Sequence, residues 1–206
     1  MSSVGIIDIG FGNLHSLECA LKECKFKSER IEKYTNKRFD LLILPGVGHY
    51  GNFLRELKKK NLDKYIREAH ASQRNILGIC LGMQIMGRRS AEDGYQQKGL
   101  QLIDFDVSSL ESQGWNANVP NIGFWDTNIK DSELITIYGE KHPFYYVHSF
   151  CINNTDIDHN NVIAYIKKED AKYAMGIRKC NTIGVQFHPE KSHKSGINLF
   201  RYCMSL

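Results

Sequence analysis

Nowhere in the 206 residues do 18 consecutive apolar side chains occur, so no membrane-spanning helix is expected. The N-terminus also lacks a basic stretch, a long apolar run and a small-residue cleavage site, so no signal peptide is readable. Both absences point to a cytoplasmic protein. Six cysteines (19, 24, 80, 151, 180 and 203) form no Cys-x-x-Cys pair, and Cys19 and Cys24 have no matching histidine spacing. Buried thiols are expected, rather than disulfides or zinc ligands, and the sequence as a whole implies no metal and no organic cofactor. The net charge of +4 is scattered, and the densest cluster, Lys58-Lys59-Lys60, sits among Leu57, Leu62 and Ile66 at helical spacing. That reads as a solvated helix face, so nucleic acid is not an expected partner. There is no repeat, low-complexity tract or linker, and the length suits one well-filled domain over residues 1–206.

The composition, 42% apolar and 24% charged, is that of a globular protein. Strand-like and helix-like segments alternate through the first half. Strands are expected at 4–9, 26–31, 41–44 and 76–79. Asn13 is placed to cap a helix carrying Leu14, Leu17, Leu21 and Cys24 on one stripe. Helical patterns run through 52–71 and from about 81 to 89. The second half is richer in short strand candidates, at 100–105, 122–125, 134–138, 144–148, 162–166, 174–177 and 182–187, with a last helix from about Ser195. The expected fold is α/β, an open, mostly parallel sheet flanked by helices with antiparallel strands added.

Three segments carry chemistry. In Gly78-Ile79-Cys80-Leu81-Gly82 a buried strand meets a helix through Gly-x-Cys-x-Gly, a nucleophile elbow with cysteine in place of serine. The sharp turn holds the nucleophile in a strained conformation, the glycines let neighbouring chain pass close, and the helix sets its positive end against the sulfur. A buried cysteine at a tight turn has the same local pattern. In Gly184-Val185-Gln186-Phe187-His188-Pro189-Glu190, an apolar strand ends in His-Pro-Glu. Side chains two apart share a side of an extended chain, so His188 and Glu190 can meet as a base and the carboxylate that orients it. A surface ion pair is the plain alternative. In Leu44-Pro45-Gly46-Val47-Gly48 a strand runs into a loop able to turn N–H groups toward an oxyanion; a plain turn has the same local pattern, but its position at a strand's carboxyl end is where open α/β sheets place sites.

Taken in order, Pro-Gly-Val-Gly, Gly-Ile-Cys-Leu-Gly-Met-Gln and Gln-Phe-His-Pro-Glu-Lys-Ser resemble the triad (class I) glutamine amidotransferases, whose fold is flavodoxin-like. The chain is most similar to the HisH family, the glutaminase subunits of imidazole glycerol phosphate synthase. That likeness extends to Ile6-Ile7-Asp8-Ile9-Gly10-Phe11-Gly12-Asn13, Tyr145-Tyr146-Val147-His148-Ser149 and Ala174-Met175-Gly176-Ile177-Arg178-Lys179. The resemblance implies that Cys80 attacks the glutamine carboxamide, that His188 moves the proton, and that Glu190 orients His188. It implies an oxyanion hole from backbone at Leu81 and Gly46, Val47 and Gly48, and a glutamine grip from Gln84, Ser149 and Phe150. Asn13, Phe124, Tyr145 and Lys191 fall where the family lines the subunit interface and ammonia exit. The implied partner is a (β/α)8-barrel, HisF-like cyclase in a heterodimer.

Several of these residues have plainer readings. Gln84 at a helix surface, one of Tyr145 and Tyr146 in the core, Lys191 as a solvated cation, and Met83 and Met86 as core filling need no chemistry. His148 and His193 read as structural or exposed, and Cys151 as a bystander. The chain also departs from the family. Where histidine-pathway members carry Pro-His-Met-Gly-Trp-Asn, it has Pro120-Asn121-Ile122-Gly123-Phe124-Trp125-Asp126, and stretches 108–118 and 153–161 are unusually polar. A paralogue supplying ammonia for amidinated sugars of bacterial surface glycans is the alternative within the resemblance. A cysteine hydrolase or peptidase of similar fold, or a regulatory subunit with a decayed site, is the alternative outside it.

Overall fold

The computed structural model describes residues 2–10 and 12–206, so Phe11 of the opening motif lies outside it. The first half contains β1 (Ser3–Ile7), α1 (Leu14–Glu23), β2 (Lys27–Ile31), β3 (Leu41–Gly46), α2 (Tyr50–Lys59), α3 (Leu62–Ala71), β4 (Asn75–Cys80) and α4 (Leu81–Gln84). The second half contains β5 (Arg89–Ser90), β6 (Asp106–Ser109), β7 (Asn121–Ile129), α5 (Ser132–Tyr138), β8 (Lys141–His148) and β9 (Phe150–Ile152). It ends with β10 (Val162–Lys168), β11 (Ala171–Lys179), β12 (Thr182–Val185) and α6 (His193–Ser205).

Nine strands form one sheet in the order β2-β1-β3-β4-β12-β11-β10-β7-β8, and β5-β6-β9 form a small second sheet. Pairing is parallel from β2 across to β12 and antiparallel from β12 outward to β8. This is the expected α/β sheet, with the added antiparallel strands extending one side of it. The period-2 alternation of side chains divides the central strands between two cores. Val4, Ile6, Leu41, Ile43, Leu77 and Ile79 face one core, closed by Leu14, Leu17 and Leu21 of α1 and by Ile197 and Phe200 of α6. Ile7, Leu42, Leu44 and Ile76 face the other, closed by Phe53, Leu54 and Leu57 of α2 and by Leu62 and Ile66 of α3. The runs at 41–44 and 76–79 are apolar throughout because both faces are covered.

Four local expectations are corrected. The helical run 52–71 is two helices, parted at Asn61, whose φ of 55° cannot continue a helix. The helix from 81 ends at Gln84, because the following turn bonds to another segment. Leu100 N–H donates to the Ile85 carbonyl and Leu102 N–H to that of Met86. Those same bonds make 100–105 irregular chain rather than a strand, although Leu100, Leu102, Ile103 and Phe105 are buried as a strand's residues would be. Residues 134–138 are helical: Asp131 accepts from Glu133 N–H and Leu134 N–H, both at 3.0 Å, and the cap outweighs the β-branched residues. Leu134 and Tyr138, four apart, then point together into the core.

Candidate functional site

Strands β3, β4 and β12 run side by side and end at the same edge of the sheet, with Gly46 paired to Cys80 and Val185 paired to Ile79. This register gathers the three sequence motifs. Cys80 closes β4 with φ 54° and ψ −113°, a strained conformation for a residue with a side chain, and α4 starts at the next residue. The turn is held by close backbone approach. A Cβ on Gly46 would sit 2.2 Å from the Gly82 nitrogen, so the Pro-Gly-Val-Gly loop lies directly against the elbow.

His188 follows β12 and is buried, with its Nδ1 2.7 Å from Glu190 Oε1. A carboxylate at that distance accepts a hydrogen bond from Nδ1–H, so the ring, when neutral, presents its lone pair at Nε2. Nε2 is buried and has no hydrogen-bond partner among the described residues. Burial by itself lowers the basicity of His188, but the neighbouring Cys80 sulfur and the Glu190 carboxylate outweigh it and raise the pKa above the ordinary histidine value. The backbone of His188 is fixed as well. Its N–H donates to the Tyr145 carbonyl at 2.8 Å, and the Ser192 hydroxyl donates to its carbonyl at 2.8 Å while accepting from Tyr145 N–H. This connects β8, at the far edge of the strand order, to the histidine loop.

Two cavities meet here. A cavity of about 320 Å³ is lined by Cys80, Leu81, Gln84, Val47, Gly48, Glu92, Pro120, Val147, His148, Ser149, Phe150 and His188. A second, of about 80 Å³, is bounded by Asn13, Leu14, Leu17, Pro45, Gly46, Ile79, Glu190 and Lys191. Val47, Val147 and His188 belong to both walls. All the expected glutamine-binding residues thus line the first cavity or the loop beside it, and Asn13 and Lys191 line the second.

Around the mouth, Val47 is 41% exposed, Ile122 57% and Phe124 52%. The Phe124 ring meets Tyr145 edge-on at 5.4 Å and stacks on His193 at 5.8 Å, and the Lys191 ammonium lies 5.3 Å from the Tyr145 ring centre. Tyr145 is half-buried, whereas Tyr146 is in the core, its hydroxyl 2.7 Å from Thr127 Oγ1. Met83 and Met86 are core residues, and Cys151 is a buried thiol whose pKa burial pushes up to about 12. Asn13 caps α1 by accepting from Ser16 N–H.

Four contributors were not legible as such. Glu92 is the acidic side chain of the larger cavity, Ser192 latches the histidine loop, Gln186 reaches Cys80, and His148 stands buried in the pocket wall. Ser192 and Gln186 flank His-Pro-Glu in the sequence. Glu92 and His148 carry no local signal. Burial pushes the His148 pKa down to about 4. Among the described residues no group of His, Cys, Asp and Glu side chains is arranged to hold a metal ion, and no helix is long and apolar enough to cross a membrane.

The sequence model of the family described as "Glutamine amidotransferase class-I" matches residues 6–203. Imidazole glycerol phosphate synthase subunit HisH of Thermotoga maritima is 31% identical over 201 residues, covering 95% of this chain and 93% of that one. The HisH of Helicobacter hepaticus is 36% identical over 225 residues, covering 98% of each chain. Among solved structures, a glutamine amidotransferase superposes with a TM-score of 0.76 at 16% identity, covering 98% of this chain and 97% of that one. The PurLQS structure from Thermotoga maritima gives 0.73 at 19% identity, covering 99% and 98%. At those identities the structures speak for the fold.

Proposed function

For this chain, which belongs to the class-I glutamine amidotransferases and within them to the HisH type, we propose the role of glutaminase subunit of an imidazole glycerol phosphate synthase. In this reading residues 1–206 are one glutaminase domain, working in the cytoplasm. The observation that carries it is Cys80 at a strained strand-to-helix turn, with buried His188 held by Glu190 on the adjacent strand end.

The geometry supports the following course. Cys80 Sγ attacks the carboxamide carbon of glutamine and its proton passes to His188 Nε2. The oxyanion is met by backbone at Leu81 and the Gly46-Val47-Gly48 loop. As the tetrahedral species collapses, His188 returns the proton to the departing nitrogen, leaving a γ-glutamyl thioester and ammonia. Water, deprotonated by His188, then cleaves the thioester to glutamate and free thiol. Glu190 keeps the ring in the required tautomer throughout.

The larger cavity suits the rest of the substrate. Glu92 offers a carboxylate for the α-ammonium group. The Gln84 amide nitrogen is already spent on the Phe150 carbonyl at 2.9 Å and Gln186 Oε1 at 3.0 Å, which leaves its oxygen to accept. The smaller cavity, with Leu14, Leu17, Ile79 and Val147 in its wall beside His188, Glu190 and Lys191, suits passage of a small molecule such as ammonia.

The exposed Ile122, Phe124 and Val47 around this mouth make an apolar surface of the kind that docks another protein. The proposed occupant is a HisF-like (β/α)8-barrel cyclase, with Lys191 and Tyr145 at the joint. The test is glutamate release from glutamine by the protein alone and with the histidine-pathway cyclase and its nucleotide substrate. Stimulation abolished by Cys80→Ala supports the reading. No stimulation, with Cys80 still forming an adduct with a glutamine-like electrophile, keeps the chemistry and moves the partner to the glycan paralogue's pathway, in line with the departures at 121–126.

A further inference from the structure

The larger cavity is held from behind by a chain of side-chain amides whose direction is determined at every link. The Phe150 carbonyl can only accept, and it takes one bond from Gln84 Nε2 at 2.9 Å and one from His148 Nδ1 at 2.9 Å. The Gln84 side chain must therefore turn its NH2 toward Phe150, and that group's second proton goes to Gln186 Oε1 at 3.0 Å. With its oxygen so occupied, Gln186 has its own NH2 facing the other way, where Nε2 lies 3.5 Å from Cys80 Sγ. The same carbonyl fixes His148 as the Nδ1–H tautomer, so its Nε2 accepts from Asn121 Nδ2 at 3.0 Å. Reversing any one amide would set donor against donor or acceptor against acceptor.

Gln186 is fully buried and does not line the cavity, so it does not touch what the cavity holds. Burying an amide is costly unless both ends are bonded, and here one end is used up by Gln84 and the other points at the nucleophile. An N–H donor aimed at sulfur favours the ionised over the protonated form and restricts the side chain to one rotamer. We propose that Gln186 is a positioning residue for the nucleophile: its amide donates to Cys80 Sγ and holds the sulfur toward the cavity, with Gln84 setting the amide's direction. The proposal rests on the glutaminase reading only for what the sulfur attacks.

The test uses the intact chain without glutamine or partner. Alkylation of Cys80 by iodoacetamide is followed across pH on the Cys80-containing peptide by mass spectrometry, for wild type, Gln186→Met and Gln186→Glu. Gln186→Met keeps the length and removes the donor; Gln186→Glu keeps the shape and the bond from Gln84 and, once ionised, sets an acceptor oxygen against the sulfur. The expected result is an alkaline displacement of the Gln186→Glu profile by about one pH unit, roughly tenfold slower alkylation near neutrality, with Gln186→Met displaced less in the same direction. Folded variants that alkylate along the wild-type profile overturn the proposal. Should Gln186→Met not fold, the isosteric Gln186→Glu decides alone. Wild type that neither hydrolyses glutamine with the cyclase present nor forms a Cys80 adduct with a glutamine-like electrophile, while the displacement is present, refutes the glutaminase reading and leaves Gln186 in its role. Hydrolysis with no displacement refutes the role alone.

Discussion

A side-chain carbon on Gly82 would stand 1.8 Å from the carbonyl oxygen of Leu44, so the elbow and the strand that feeds the Pro-Gly-Val-Gly loop are in backbone contact. The approach leaves no room for relaxation, because the obstructing atom belongs to a strand in the middle of the sheet. Gly82→Ala is expected to cost about 2–4 kcal/mol and to remove glutaminase activity with it. Gly114→Ala, in a turn with φ 79° and open space around it, is expected to cost only about 1 kcal/mol. Denaturant titration of the two variants checks the contrast.

The proposed triad predicts separable losses. Cys80→Ala removes the proposed nucleophile and is expected to abolish glutamate release while leaving glutamine binding measurable by calorimetry. Glu190→Gln leaves His188 in place with an amide in contact with Nδ1, and the wrong tautomer becomes available. Its expected effect is a fall in kcat of roughly 10²–10⁴-fold with little change in KM. A proportional rise in KM instead would mean that Glu190 binds substrate rather than orienting the base.

His148 predicts an acid-labile fold. Its pKa is about 4 in the folded chain against 6.5 for an ordinary histidine, so between those values the unfolded chain binds the extra proton. The contribution is intact above about pH 6.5 and is lost as pH falls toward 4, amounting to about 3 kcal/mol in total. His148→Gln is expected to flatten the fall in stability between pH 7 and pH 4 by about one proton's worth of slope. Melting curves across that range, on wild type and variant, supply the measurement.

The apolar mouth predicts a partner-specific defect. Ile122 and Phe124 are exposed, and the ring contacts of Phe124 are those with Tyr145 and His193, so Ile122→Asp and Phe124→Ala should each cost the free chain no more than about 1–2 kcal/mol. Binding to the proposed cyclase partner should weaken by about 1–3 kcal/mol for each. Calorimetric titration of one protein into the other reads both variants, and unchanged affinity places the docking face elsewhere.

The order of elements and the three motifs were legible because both are local. Covered strands read as continuous apolar runs at 41–44 and 76–79, and Gly-x-Cys-x-Gly and His-x-Glu place interacting groups within a few residues. Residues 100–105 and 134–138 were read wrongly for a shared reason: apolar and β-branched residues mark burial, not backbone conformation. At 134–138 the capping aspartate decided, and at 100–105 the carbonyls left open by the turn after α4 decided.

The sequence by itself determined the alternation of strands and helices, the family, and Cys80, His188 and Glu190 as the proposed nucleophile, base and carboxylate. Only the tertiary structure decided that β3, β4 and β12 end together, that Tyr145 and Ser192 tie the histidine loop to β8, and that Glu92 enters the cavity. It alone set the orientation of the amides linking Phe150, Gln84, Gln186 and Cys80, because each link joins residues 66 to 106 positions apart. A donor's direction follows from what its neighbour can accept, and those neighbours meet only when the sheet closes.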